Sequence, residues 1–214
     1  YIIPKNDEFF SEYSANDRLK AISNFSGSAG YSIILKNKNY LFVDGRYTIQ
    51  AKKEAGKNFQ IIDFHKIINC NLFKNLSIGF NPKFFTSIQI KKFFNKHNKV
   101  KSIESNLIDQ IHKYKIKSNK PFFSLKSKVV GENYKTKIIK IRKYLNKNKS
   151  DYLFVTAPEN VAWLLNIRGH DNPNSPIPNC QLIIDNRNRF YLIAQKNKVS
   201  KLITEKKLKS HQII

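Results

Sequence analysis

Two copies of one strand–turn–strand pattern, set some 150 residues apart, restrict this 214-residue chain to folds that repeat a sheet. In the first copy, Tyr31 to Lys36 and Tyr40 to Val43 flank the polar turn Asn37-Lys38-Asn39. In the second, Cys180 to Asp185 and Phe190 to Ala194 flank Asn186-Arg187-Asn188-Arg189. Ile33 matches Ile183, Leu41 matches Leu192 and Gln60 matches Gln212, so the offset moves only from 150 to 152. A duplicated domain explains that constancy.

The elements around each hairpin follow from periodicity and punctuation. After the first, Asp44 is placed to cap a helix from Arg46 to about Ala55, stopped by Gly56. Strands at Phe59 to Ile62, Leu76 to Phe80 and Val100 to Glu104 surround a helix from Thr86 to Lys96. Asn119-Lys120-Pro121 punctuates the chain, dividing it into domains 1–120 and 121–214. The second domain opens with a helix from Glu132 to Asn146, with Tyr134, Ile138, Ile141 and Leu145 on one stripe. Tyr152 to Val155 reads as a short buried strand, and Pro158 introduces a helix over Glu159 to Ile167, its Trp163 assigned to the core or an interface. Gly169 to Asn179, rich in Pro and Asn, is a long loop of the functional kind. Strands alternating with helices give an α/β class: two related domains, each a mixed β-sheet with flanking helices. The second copy stops where the first continues through a strand, a helix and a strand, so a sheet edge needs covering and more chain is expected after Ile214.

Composition excludes some functions. No run of 18 or so uncharged apolar residues could cross a membrane, and Tyr1-Ile-Ile-Pro4 leads into charge rather than a signal-peptide core. The expectation is a cytoplasmic protein with Cys70 and Cys180 reduced and buried. The net charge of +24 would ordinarily suggest nucleic acid. However, 33 Lys against 6 Arg, alongside 25 Asn and 28 Ile, reads as AT-rich coding, and the lysines spread over every segment. Arginine, the bidentate reader of phosphates and guanine edges, is scarce, so no nucleic-acid partner is assigned. The lack of methionine and the Tyr1 start read as a piece of a longer polypeptide.

No self-contained catalytic constellation emerges. The five histidines stand apart, without HExxH or CxxC, and no metal site is assigned. His170-Asp171 is either an oriented base or a solvated loop pair, and the second is favoured. Ser26-Gly27-Ser28-Ala29-Gly30 lacks the lysine of a phosphate loop and the spacing of a nucleophile elbow, and reads as a close-packed turn. Arg46, just after Asp44-Gly45 at a sheet end, is the one candidate binding residue. It is either a carboxylate clamp or half of an Asp44–Arg46 surface pair.

Several stretches together carry a family likeness. Tyr1-Ile-Ile-Pro4, Ser11-Glu12-Tyr13, Asn24-Phe-Ser-Gly-Ser-Ala-Gly30 and Asp44-Gly-Arg-Tyr47 with Gln50-Ala51 resemble the first domain of Xaa-Pro aminopeptidases of the creatinase and prolidase superfamily. Asn106-Leu-Ile-Asp109, Pro158 to Gly169 and Ser175-Pro-Ile-Pro178 resemble the second domain of three-domain members. The resemblance implies creatinase N-terminal domains ahead of a pita-bread catalytic domain holding two divalent metals, usually manganese. It implies a proline-specific metallo-aminopeptidase, a hydrolase releasing the residue before a proline at the second position. The family's five metal ligands are absent here, so this segment is expected to be inactive alone and to serve dimerisation, substrate access and substrate-end recognition. Arg46, at the arginine of Asp-Gly-Arg-Tyr, becomes the substrate-contacting candidate, and a homodimer is implied. Asn24 departs from the family's usual Gly. The competing reading is a stand-alone scaffold of creatinase-type domains without peptidase activity.

Overall fold

A computed structural model describes residues 1–10, 16–68, 72–94, 97–114, 118–172 and 174–214. Cys70, Lys96 and Ser11-Glu12-Tyr13 lie outside them. The chain divides into two compact units, one within Tyr1–Glu8 and Asn16–Lys115, the other within Phe9–Ala15 and Ile116–Ile214.

The first unit is built on a four-stranded sheet. β1 (Ile2–Pro4) leads to α1 (Arg18–Ser23), then the hairpin β2 (Gly30–Ile34) and β3 (Asn39–Val43), α2 (Thr48–Ala55) and β4 (Gln60–Asp63). The spatial order follows the chain: β1, β2 and β3 are antiparallel neighbours, and β4 runs parallel to β3. α1 ends at Asn24, whose φ of 59° is left-handed, a region Asn tolerates better than most residues other than Gly. The expected helix at Arg46 starts instead as a single 3-10 turn, Gly45–Tyr47, and becomes α-helical at Thr48. Asp44 accepts the Arg46 backbone N–H, which tightens that first turn.

Alternation along the strands separates two cores. Leu41 and Val43 pack on one face with Leu19, Phe25, Ala51 and Ala55 of the α1 and α2 region. Ile2, Ile33, Tyr40 and Phe42 bury the other face under Ile67, Phe73, Ile78, Phe85, Ile90 and Phe93. That second layer holds β5 (Ser77–Phe80), α3 (Ser87–Phe93) and β6 (Lys99–Ser102), with β5 and β6 parallel. α3 starts in a capping box between Thr86 and Gln89. α4 (Leu107–Ile111) follows, capped by Asn106.

The second unit repeats the sheet. β7 (Phe123–Ser124), α5 (Tyr134–Lys147), β8 (Tyr152–Val155), α6 (Pro158–Leu165), β9 (Ile167–Arg168), the hairpin β10 (Gln181–Asp185) and β11 (Phe190–Ile193), and α7 (Lys196–Thr204) come in that order. β8, β10 and β11 form an antiparallel sheet, and a short parallel bridge joins Leu192 to Ile213. The register reproduces that of the first unit: Ile33 opposes Tyr40 as Ile183 opposes Tyr191, and Leu41 lies beside Ile61 as Leu192 lies beside Ile213. The inner face, Val155, Leu182, Ile184, Phe190 and Leu192, packs against Ile138, Val161, Leu165, Val199 and Leu202.

Three expectations are corrected here. β8 is not buried throughout: only Val155 is fully covered, because Tyr152 and Phe154 alternate onto the outer face. The helix predicted to reach Ile167 stops at Leu165, because Asn166 turns left-handed and releases Ile167 into β9. Trp163 is not in the core. α6 buries Val161, Ala162, Leu164 and Leu165, so position 163 falls outside that stripe and is 59% exposed.

Candidate functional site

The first-unit motifs meet at the end of the β2–β3 hairpin. Asp44 leaves β3 in extended conformation, and its Oδ1 accepts from the Arg46 backbone N–H at 3.0 Å and from Arg46 Nε at 2.9 Å. Arg46 Nη2 reaches Oδ2 at 3.4 Å, and the guanidinium carbon lies 5.6 Å from the centre of the Tyr47 ring. The Arg46 side chain is 75% exposed. The Arg46 side chain, then its backbone N–H, hold the Asp44 carboxyl below its usual range. The surface pair is therefore present, with the cation held over solvent.

The next residues stitch the glycine-rich turn to α2. Tyr47 Oη and Ser28 Oγ are 2.7 Å apart, and the Tyr47 ring meets Phe25 edge-on at 5.9 Å. Glu54 accepts from the Ser26 backbone N–H at 2.7 Å and from its hydroxyl at 2.8 Å. Gln50 Nε2 donates to both Ser26 Oγ and Glu54 Oε1. These bonds, that of the Ser26 amide foremost, lower the Glu54 carboxyl below its usual range. The close packing read from the glycines is real: a Cβ on Gly30 would sit 2.9 Å from the Phe42 carbonyl oxygen. The serine hydroxyls thus serve a scaffold that fixes where Arg46 emerges.

A buried cation went unnoticed in the sequence. Arg18 is 3% exposed, and its guanidinium grips Asp109 through Nε–Oδ1 and Nη2–Oδ2, both 2.8 Å. Nη2 also donates to Glu8 at 2.9 Å, and the group lies 4.6 Å from the Phe84 ring centre. Burial pulls the Arg18 ionisation down, but the Asp109 and Glu8 bonds outweigh it and raise it. The available signal was Asn106-Leu-Ile-Asp109: Asn106 caps α4 and so sets Asp109 in its first turn.

In the second unit Asn166 is a hub. It accepts from Lys137 Nζ at 2.8 Å and donates to the Glu132 carbonyl at 2.9 Å. Its own carbonyl receives Lys207 Nζ at 3.3 Å. Lys137 also donates to the Trp163 carbonyl and sits 4.0 Å from the centre of a Trp163 ring. A cleft of about 500 Å³ opens beside Ser124, Asn133, Tyr134, Asn166 and Lys207. Burial, together with the nearby Lys137 charge, pushes the Lys207 ammonium down to about 8.

His170-Asp171 is not a solvated pair. Asp171 is buried, ion-paired with Lys198 and bonded by the Asn179 backbone N–H at 2.7 Å. His170 instead stacks on Phe123 at 5.3 Å. These contacts order the long loop around a buried charge pair. Cys180 is a buried free thiol, pushed up by desolvation. Among the described residues no three of His, Cys, Asp and Glu converge as a metal ion would require. No helix among them is long and apolar enough to cross a membrane.

Comparison with known proteins places this arrangement. Residues 113–214 match the family model of the creatinase/prolidase N-terminal domain. The named relatives are Xaa-Pro aminopeptidases. A probable Xaa-Pro aminopeptidase P of Laccaria bicolor is 33% identical over 193 residues, 83% of this chain and 30% of that protein. Xaa-Pro aminopeptidase 1 of Dictyostelium discoideum is 28% identical over 97% of this chain and 35% of its own length. The crystal structure of an X-prolyl aminopeptidase from Caenorhabditis elegans, described as a cytosolic enzyme with a di-nuclear active site, matches with a TM-score of 0.87 and 25% identity. That match covers all of this chain and 37% of the other. The chain spans about a third of the length of the relatives it matches.

Proposed function

We propose that this chain is the non-catalytic N-terminal region of a proline-specific metallo-aminopeptidase, which removes the residue preceding a proline at position two of a peptide. The observation that carries this reading is similarity along the chain to Xaa-Pro aminopeptidases, of whose length it spans about a third. In this reading two divalent ions, manganese by preference, sit in a separate catalytic domain, where they would activate a hydroxide and polarise the scissile carbonyl. The present residues bind and position: domains 1–120 and 121–214 support a cytoplasmic homodimer, restrict access and present Arg46 to the carboxylate end of the peptide.

The test is direct. The full-length protein should hydrolyse an Xaa-Pro peptide in a metal-dependent manner, spare the Xaa-Ala counterpart, and lose all activity when reduced to residues 1–214. A full-length protein without peptidase activity under metal loading would favour the stand-alone scaffold instead.

A further inference from the structure

The cleft beside Asn166 gathers hydrogen-bond donors and positive charge that the surrounding residues do not answer. Part of its lining comes from the end of α7. Lys206 takes a left-handed φ of 53°, and the N–H groups of Lys206 and Lys207 close back on the carbonyls of Ile203 and Leu202, both at 2.9 Å. This Schellman turn stops the helix and sets both lysines in the cleft wall. Ser124 of β7 and Asn133, Tyr134 and Lys135 at the start of α5 line the same space.

Lys207 is half-buried, and an ammonium brings three N–H donors. The Asn166 carbonyl takes one at 3.3 Å, and the Tyr134 ring centre lies 4.8 Å away. Among the described residues Lys207 forms no ion pair: Glu205 beside it pairs with Lys201 at 3.8 Å, and Glu132 with Lys140 at 2.6 Å. Lys137 adds charge nearby while its own ammonium is spent on the Trp163 and Asn166 oxygens. The Ser124 hydroxyl is shielded from water and has no partner among the described residues. Tyr134, Lys135, Lys206 and Lys207 also border a second hollow of about 400 Å³, walled further by Ile138, Ile139 and Phe190.

We propose that the Asn166 cleft binds a phosphate group, free or on a small ester, with Lys207 and Ser124 donating to its oxygens and Lys135 and Lys206 adding charge. Buried donors ordinarily find an acceptor, and here the acceptor has to bring negative charge and several oxygens at once. A phosphate does both, with a charge of about −1.5 to −2 at pH 7. The volume of about 500 Å³ suits a small ligand. The apolar hollow across Tyr134 and Lys207 has room for the body of an ester.

Lys207 itself reports occupancy. Its ammonium lies at about 8, and a bound dianion should raise it by about one unit or more. At pH 7 that cuts the neutral, reactive fraction about ten-fold. Amine labelling of the full-length protein, read at Lys207 by mass spectrometry, should therefore fall about ten-fold when inorganic phosphate replaces chloride at equal ionic strength, with exposed Lys140 unchanged. Ser124→Ala should require about ten-fold more phosphate for the same protection, as expected for one lost bond to a charged group. Phenyl phosphate supplies the second arm: protection at lower concentration than inorganic phosphate assigns an ester, and equal protection assigns the free ion. Lys207 labelling that phosphate leaves unchanged, that falls equally at Lys140, or that Ser124→Ala does not alter would overturn the inference. Peptidase activity enters none of these readouts, so failure here and failure of the aminopeptidase reading are separable.

Discussion

Arg18 and Asp109, 91 residues apart, face each other through two parallel N–H···O bonds of 2.8 Å and so tie α1 to α4. The cation is buried and its partner partly exposed. Removing the carboxylate therefore leaves a buried charge with its single remaining bond to Glu8 among the described residues. Breaking a buried pair typically costs about 3–5 kcal/mol, and the 39% exposure of Asp109 brings the expectation for Asp109→Ala to about 2–3 kcal/mol. Urea unfolding should show a lower midpoint at unchanged slope. The double variant Arg18→Met with Asp109→Leu should lose less than the single one.

Gly30→Ala should destabilise the first unit by about 1–3 kcal/mol, the usual range for overpacking. Its new methyl would meet the Phe42 carbonyl at 2.9 Å and Leu19 at 3.2 Å, and backbone cannot swing aside as a side-chain tip can. Thermal melting of the two proteins measures it. An unchanged melting temperature would mean that the hairpin end yields to the added methyl.

Lys207 sets a pH dependence of definite sign. Its ammonium is lowered from 10.5 to about 8 by burial, so between those values the unfolded chain holds the proton more often than the folded one. Stability should therefore rise with pH from about 8 towards 10.5 and level off above, and Lys207→Met should remove that rise. A second consequence is reactivity. At pH 7 about a tenth of Lys207 is neutral, far more than for an ordinary lysine. Amine-reactive labelling followed by mass spectrometry should find it modified well ahead of exposed lysines such as Lys140.

Arg46→Ala in the full-length protein should slow turnover of longer peptides while leaving the metal content unchanged. Because the side chain is 75% exposed, the unfolding midpoint should stay essentially where it is, as solvent screens such surface pairs. Kinetics that are normal at every peptide length would remove the clamp and leave Asp44–Arg46 as a capping pair.

Much of the fold was legible because its signals are short-range. The helix start near Thr86 and the Asp44 cap are set within a few residues, and the hairpins announce themselves by alternation. The Asp-Gly-Arg-Tyr segment marked the candidate site, but its supports, Ser26–Glu54 and Ser28–Tyr47, span 28 and 19 residues and leave no periodic trace. For Trp163, composition says only that its helix is apolar, which leaves open which side meets solvent. The left-handed turn at Asn166 and the neighbouring Lys137 decided which side faces outward.

Local order in the amino acids was enough to specify the two like hairpins and most helix starts, because propensity, capping and alternation are properties of neighbours in the chain. Which charges are buried, and whether a residue such as Trp163 is covered, depended on segments brought together from far apart. Burial belongs to the packed assembly of segments, and no single stretch of residues carries it.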